Sequence, residues 1–313
     1  MTFLKAEHAC AALRDLVLVG AFPPELQRVL DAEFCCHDPA AVLADSDLAG
    51  RIHGIITRSN VSLSEQVVAG LPNLKIIATC GVGCDGIPLA AARQRRIVVT
   101  NTPGVLDDAV CELGIGILLA LLRWIPEADR FTRSGQWTGE TFPLTTSLAG
   151  KRVGIVGLGR IGQGIATRLA GFGVELACTG SRQACAPDRH CETLPELARR
   201  SDILFVCCRG GDSTRRLISA SVLEALGSDG FLINLSRGSV VDEPALIHAL
   251  KSDAIQGAGL DVYEDEPGID PAFIDLPNAV RMPHVGSATK ETRAVMLRLT
   301  LDNLHALWAV RRH

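Results

Sequence analysis

Residues 152–164, RVGIVGLGRIGQG, constrain this chain more than any other stretch. An apolar run of strand character ends in Gly157, Gly159 and Gly162, spaced G-x-G-x-x-G, and helical spacing follows it. In that setting the first glycine permits a tight turn and the second lets the backbone approach a pyrophosphate. The third lets the helix pack closely on the strand. The pyrophosphate then meets the positive N-terminal end of the helix. The motif therefore implies a parallel α/β sheet with a dinucleotide site.

The rest of the chain agrees with that sheet. LVLVG (16–20), GIIT (54–57), KIIAT (75–79) and IVVT (97–100) read as buried strands separated by helical patterns. A second series begins at the glycine motif. Its further strands are 174–179, 203–208, 230–235, 257–262 and 279–284, and a final helix covers 290–310. Between the series lie a long apolar helix over 107–124 and a Thr- and Gly-rich connector over 130–150. The strand–helix alternation predicts doubly wound parallel sheets.

Composition excludes several classes. The net charge is -4 with no long basic block, which gives a nucleic acid or polybasic membrane contact nothing to work with. The longest strongly apolar run, 115–122, is too short to cross a bilayer. MTFLKAEHAC lacks the apolar core of a secretion signal, so a soluble cytoplasmic protein is expected. The eleven cysteines are odd in number and contain no CxxC pair, which argues against a disulfide framework or a zinc site. Most are expected as small buried apolar side chains.

The second strand of the glycine-motif series ends CTGSRQ (178–183). A carboxylate at this point accepts from the ribose 2′-hydroxyl of NAD and repels a 2′-phosphate. Here Gly180 removes that repulsion, Arg182 can pair with the phosphate and Ser181 can donate to it. NADP(H) is expected to be preferred, with NAD(H) as the alternative.

Three later stretches stand at strand ends, beyond which ligands bind in such sheets. They are NLSRGSVVDEPAL with Arg237, LDVYEDEP with Asp261 and Glu266, and MPHVGSAT with His284. Alone, each has an ordinary structural reading. Together they supply a carboxylate clamp, an acid and an imidazole, downstream of a nicotinamide site. That set suits hydride transfer between a nicotinamide and a 2-oxo or 2-hydroxy acid. The imidazole exchanges a proton with the substrate oxygen, and a nearby carboxylate stabilises the imidazolium.

These motifs, with GVGCDGI (81–87) and NTPGVL (101–106), resemble the D-isomer-specific 2-hydroxyacid dehydrogenases over nearly the whole length. The resemblance implies two Rossmann- or flavodoxin-like domains with a substrate cleft between them. A discontinuous substrate-binding domain would comprise 1–101 and 285–313, and a dinucleotide-binding domain 102–284. It implies Arg237 as the clamp on the substrate carboxylate and carbonyl, His284 as acid/base, and Glu266 as its partner. Val82 and Gly83 would bind the substrate carboxylate through their backbone, and Arg58 would line the substrate pocket. Arg160 and Ile161 would meet the pyrophosphate, and Asp261 the nicotinamide carboxamide. Cys208, Arg209, Thr214, Leu235, Ser236 and Gly286 would complete the cofactor contacts. Arg209 departs from the family's usual proline and would add a positive charge near the 2′-phosphate.

The resemblance also implies a homodimer through the dinucleotide-binding domains, with the long apolar helix and the 130–150 connector as candidate interface. Its glyoxylate/hydroxypyruvate reductase branch is the nearest in motif. Reduction of hydroxyphenylpyruvate is the rival activity. A dinucleotide-sensing corepressor that keeps the same residues is the alternative of another class.

Overall fold

The computed structural model describes residues 14–180, 186 and 189–309. Its strands are β1 (Arg14–Leu18), β2 (Phe34–His37), β3 (Gly54–Arg58), β4 (Ile76–Cys80), β5 (Val98–Thr100), β6 (Arg152–Val156), β7 (Glu175–Thr179), β8 (Ile203–Val206), β9 (Phe231–Asn234), β10 (Gly257–Leu260) and β11 (Ala279–Arg281). Its helices in the first hundred residues are α1 (Pro24–Glu33), α2 (Pro39–Ala44), α3 (Ser46–Arg51), α4 (Glu65–Gly70) and α5 (Leu89–Gln94). The remainder are α6 (Asp107–Leu122), α7 (Ile125–Arg133), α8 (Arg160–Leu169), α9 (Leu194–Arg199), α10 (Ala220–Leu226), α11 (Glu243–Lys251) and α12 (Lys290–Ala309).

The strands form two parallel sheets, ordered β2-β1-β3-β4-β5 and β11-β10-β9-β8-β6-β7. Each order steps outward once and then reverses, between β1 and β3 in one sheet and between β6 and β8 in the other. Such reversals open a crevice at the carboxyl ends of the strands. The chain divides into two compact units, one running to Leu106 and resuming at Lys290, the other Asp107–Thr289.

Both faces of the first sheet are covered. Leu16, Ile56, Ile76 and Ala78 meet Leu30 of α1 and Leu297, Leu301 and Leu304 of α12. Their neighbours Val17, Ile55 and Ile77 meet Val67, Val68 and Leu71 on the other face. A sheet buried on two faces needs near-continuous apolar strands, which is why these segments show little alternation. In the second unit all four residues of β8 are buried. There α6, apolar almost all round, packs against α8 and β10.

Two elements differ from the sequence reading. In the stretch between the first two expected strands, Phe34 begins an edge strand, β2, FCCH, where only helical pattern was read. Four residues with two cysteines and a histidine carry too little β-branched character to signal a strand. The apolar helix stops at Leu122, and Trp124 takes a left-handed conformation with φ 49° before α7 starts ahead of Pro126. The expected connector thus begins inside α7, continues through a short 3-10 turn at Gln136–Thr138 and is irregular beyond it.

Cys80, Cys111 and Cys191 are buried thiols, as expected. Cys35 and Cys178 are buried as well, but each is disulfide-bonded, which the odd cysteine count argued against. Among the described residues no single helix is long and apolar enough to cross a membrane.

Candidate active site

The glycine turn lies at the reversal point of the second sheet. Gly157 has φ 90°, and a Cβ on it would fall 2.6 Å from the backbone of Cys208, at the end of the neighbouring β8. Only glycine lets the two strand ends approach this closely. A Cβ on Gly162 would stand 2.3 Å from the Gly157 carbonyl oxygen, so the turn and the first turn of α8 are also in contact. Gly159, by contrast, faces open space and caps α8 with no side-chain bond. The first N–H groups of a ten-residue helix are therefore left for a ligand, with room above them. This cradle fits a dinucleotide pyrophosphate.

The surrounding residues are tied to the turn. Ser236 Oγ donates to the carbonyl of Cys208. Arg160 Nε donates to Asp107 at 3.0 Å, and the carbonyl of Ile161 accepts from the Cys111 thiol at 3.4 Å. Burial raises the thiols of Cys207 and Cys208 above their ordinary value and holds Cys111 at about 11. These sulfurs are neutral at physiological pH and are not nucleophiles. Arg209 is exposed just past β8, and its carbonyl accepts from Thr214 Oγ1 at 2.8 Å. Leu235 N–H continues the ladder to Val206 at 3.1 Å. Gly180 follows β7 with φ 128°, whereas Ser181 and Arg182 lie outside the described residues.

Arg237 stands three residues past the end of β9. Asn234, almost fully buried, shapes that exit: its Oδ1 accepts from Ser236 N–H and its Nδ2 donates to the Arg237 carbonyl, both at 3.0 Å. The Arg237 guanidinium donates to the Ser236 carbonyl at 2.8 Å and remains half-buried.

His284 and Glu266 are brought together from separate strand exits. The imidazole Nδ1 donates to Glu266 Oε2 at 2.5 Å, with the side chains 21% and 14% exposed. The carboxylate accepts only, so the contact fixes Nδ1 as the protonated nitrogen and leaves Nε2 for a substrate. His284 itself has φ 53°, a left-handed conformation that costs a non-glycine residue energy. Asp261 stabilises it. The two oxygens of its buried carboxylate accept from Val285 N–H at 2.8 Å and Gly286 N–H at 2.9 Å. Burial raises this carboxyl above the ordinary range, against the pull of those N–H groups. Each oxygen keeps a further lone pair for a ligand.

The remaining candidates belong to the first unit. Val82 follows β4, and its carbonyl accepts from Asn101 Nδ2 at 2.8 Å. Gly83 stands in the same turn. Arg58 ends β3 opposite Cys80 and donates to the Ala21 carbonyl at 2.9 Å, bridging the exits of β1 and β3.

The sequence reading passed over Asn234 and Glu243, which flank Arg237 in the stretch it quoted. Asn234 is marked by its polarity at the end of an apolar strand, whereas Glu243, nine residues on, carries no such local signal.

Residues 115–286 match the family model for the D-isomer specific 2-hydroxyacid dehydrogenase NAD binding domain. A 2-ketogluconate reductase of Gluconobacter oxydans is 40% identical over 295 residues, covering 93% of this chain and 94% of its own. A glyoxylate/hydroxypyruvate reductase of Arabidopsis thaliana is 43% identical over 258 residues, 82% of each chain. Among solved structures, the NADPH-dependent glyoxylate/hydroxypyruvate reductase SmGhrB of Sinorhizobium meliloti, in complex with NADP and malonate, is similar at a TM-score of 0.88. It is 40% identical, over 95% of this chain and 94% of that one. The chain belongs to the D-isomer-specific 2-hydroxyacid dehydrogenase family, with a fold of two doubly wound parallel sheets.

Proposed function

We propose that this protein reduces a short 2-oxo acid to the D-2-hydroxy acid with NADPH. The observation that carries the reading is the Glu266–His284 pair at 2.5 Å, downstream of the glycine cradle in the same unit. When bound, the nicotinamide supplies the hydride that adds to the substrate's carbonyl carbon. His284 Nε2 donates the proton to the oxygen that gains charge, and Glu266 stabilises the imidazolium through Nδ1. Arg237 grips the substrate carboxylate and polarises the carbonyl. Val82, Gly83 and Arg58 are assigned to the substrate, and Asp261 and Gly286 to the nicotinamide end. Arg160, Ile161, Cys208, Thr214, Leu235 and Ser236 are assigned to the rest of the cofactor.

The phosphorylated cofactor is favoured by Gly180 in the place of an acid, with Ser181, Arg182 and Arg209 as its positive or donating surroundings. Glyoxylate and hydroxypyruvate are the first substrates to test. The Gluconobacter relative makes 2-ketogluconate, a longer 2-oxo acid bearing hydroxyls, the second. The enzyme is read as cytoplasmic and as a homodimer through the dinucleotide-binding unit.

One plate tests the reading. NADPH and NADH oxidation are followed against glyoxylate, hydroxypyruvate, 2-ketogluconate, phenylpyruvate and hydroxyphenylpyruvate. Turnover with NADPH at least about ten-fold above NADH, on glyoxylate or hydroxypyruvate, is expected. NADPH binding with no turnover of any acid would favour a dinucleotide sensor instead.

A further inference from the structure

Glu266 reaches His284 from a turn, Tyr263–Glu266, whose shape decides where its carboxylate lies. One Glu266 oxygen goes to the imidazole, and the other accepts from Tyr263 N–H of its own turn at 3.1 Å. The orientation of the carboxylate is therefore only as fixed as the turn.

Among the contacts that hold that turn, two come from the seven residues that begin with Arg237. Gly238 lies so close beneath it that a Cβ would fall 1.8 Å from the Tyr263 carbonyl carbon and 2.1 Å from Glu264 N. Five residues on, Glu243 opens α11 with its side chain nearly buried, at 9% exposure. Its Oε1 accepts from Glu264 N–H at 2.6 Å. This one carboxylate thus ties the exit that bears Arg237 to the turn that bears Glu266.

The N-terminal end of α11 favours a carboxylate in its first turn, but the rest of its surroundings do not. Burying it costs desolvation, and its charged neighbours are adverse: Glu264, Asp265 and Asp270 all stand near it. Arg215 and Arg216 engage Glu264, at 2.6 and 4.0 Å. Asp261 is the other acid near the Glu266–His284 pair.

We propose that Glu243 is a positioning residue, which holds the Tyr263–Glu266 turn in register with Arg237 so that Glu266 meets His284 with fixed geometry. The proposal rests on the reading of Glu266 and His284 as the acid/base system. Its basis is an oxygen acceptor, not a negative charge. Burial raises the Glu243 carboxyl above the usual carboxylate range, and a neutral group keeps an oxygen that can accept from Glu264 N–H.

The test compares Glu243→Leu, Glu243→Gln and His284→Ala in NADPH-dependent reduction of hydroxypyruvate across pH, with folding checked by circular dichroism. Leucine fills the space without an acceptor. Its kcat should fall by about 10- to 100-fold while KM changes by less than about three-fold, as for a group that orients a neighbouring ligand. The alkaline limb of kcat should move to lower pH, because an imidazolium with a poorly aligned carboxylate is less stabilised. Glutamine keeps the acceptor and should restore kcat to within about three-fold of wild type. If the leucine variant does not fold, Glu243→Asp, one methylene short, should show the same loss and the same displaced limb. An unmoved limb with wild-type kcat in the leucine or aspartate variant overturns the proposal, as does a glutamine variant as impaired as leucine. With His284→Ala inactive, those results leave the acid/base reading standing. A nearly normal His284→Ala overturns both.

Discussion

His284 shows how the site and the structural scaffold differ at the residue scale. It is held in left-handed backbone by Asp261 and in one tautomer by Glu266, at a strand exit. Asp202 does the opposite work at the other end of the same sheet. It precedes β8 and accepts from Arg152 N–H at 2.8 Å and from the Arg152 guanidinium at 2.5 Å, which joins the starts of β6 and β8. The Arg152 hydrogen bond holds the Asp202 carboxyl below its ordinary value. A carboxyl depressed in the folded state adds stability that is full above its unfolded value and is lost as pH falls through the folded one. Asp202→Asn should therefore lower stability in urea at pH 7 and leave kcat near wild type. The gap should begin to narrow below about pH 4, where the unfolded chain takes up the proton, and close as pH falls through the lower folded value. A gap constant with pH would contradict the linkage.

The residues named at strand exits were legible because apolar runs flanked by single polar letters mark such exits. Arg237 and His284 fit that pattern, whereas Glu266, inside the acidic run 264–266, took its role only from the family resemblance. Glu243 did not stand out, because its partner Glu264 is 21 positions away and the contact is to a backbone N–H. No local periodicity encodes such a bond. Ser181 and Arg182, on which the cofactor preference was first argued, lie outside the described residues, so that argument still rests on sequence.

At the scale of elements, the glycine turn and α8 follow directly from their letters, while the stretch after α6 does not. A helix as apolar as α6 must be buried, and eight of its residues are. The break at Trp124 depends on a single left-handed residue, which spacing cannot announce. Beyond it the chain exposes large apolar side chains: Ile125, Trp137 at 72% and Leu144 at 97%. Phe142 packs edge-on to Trp124 and Phe131 at 6.3 and 5.3 Å, which gives this segment a structure of its own. Exposed apolar groups on an ordered segment support the homodimer reading. Light scattering should give twice the 33.3 kDa of one chain, and Trp137→Asp with Leu144→Asp should shift the mass toward one. A wild-type mass of 33.3 kDa would refute the dimer.

At the scale of the whole molecule, both sheets repeat one winding, with the second strand outside the first and the rest on the other side. The alternation of strands and helices made that class of fold readable. The edge strand β2 escaped notice because its four residues resemble the end of α1. The winding also explains why the site could be sought at strand exits at all. Its reversal at β6 and β8 brings Gly157 against Cys208, and the described residues assigned to the cofactor and to proton transfer are in that one unit. Steady-state oxidation of NADPH with hydroxypyruvate, together with NADPH binding by fluorescence, should be compared for wild type and His284→Ala. Turnover should fall by about 100-fold or more while NADPH binding stays within about three-fold of wild type. A variant that keeps near-normal turnover would contradict the assignment of His284 as the proton donor.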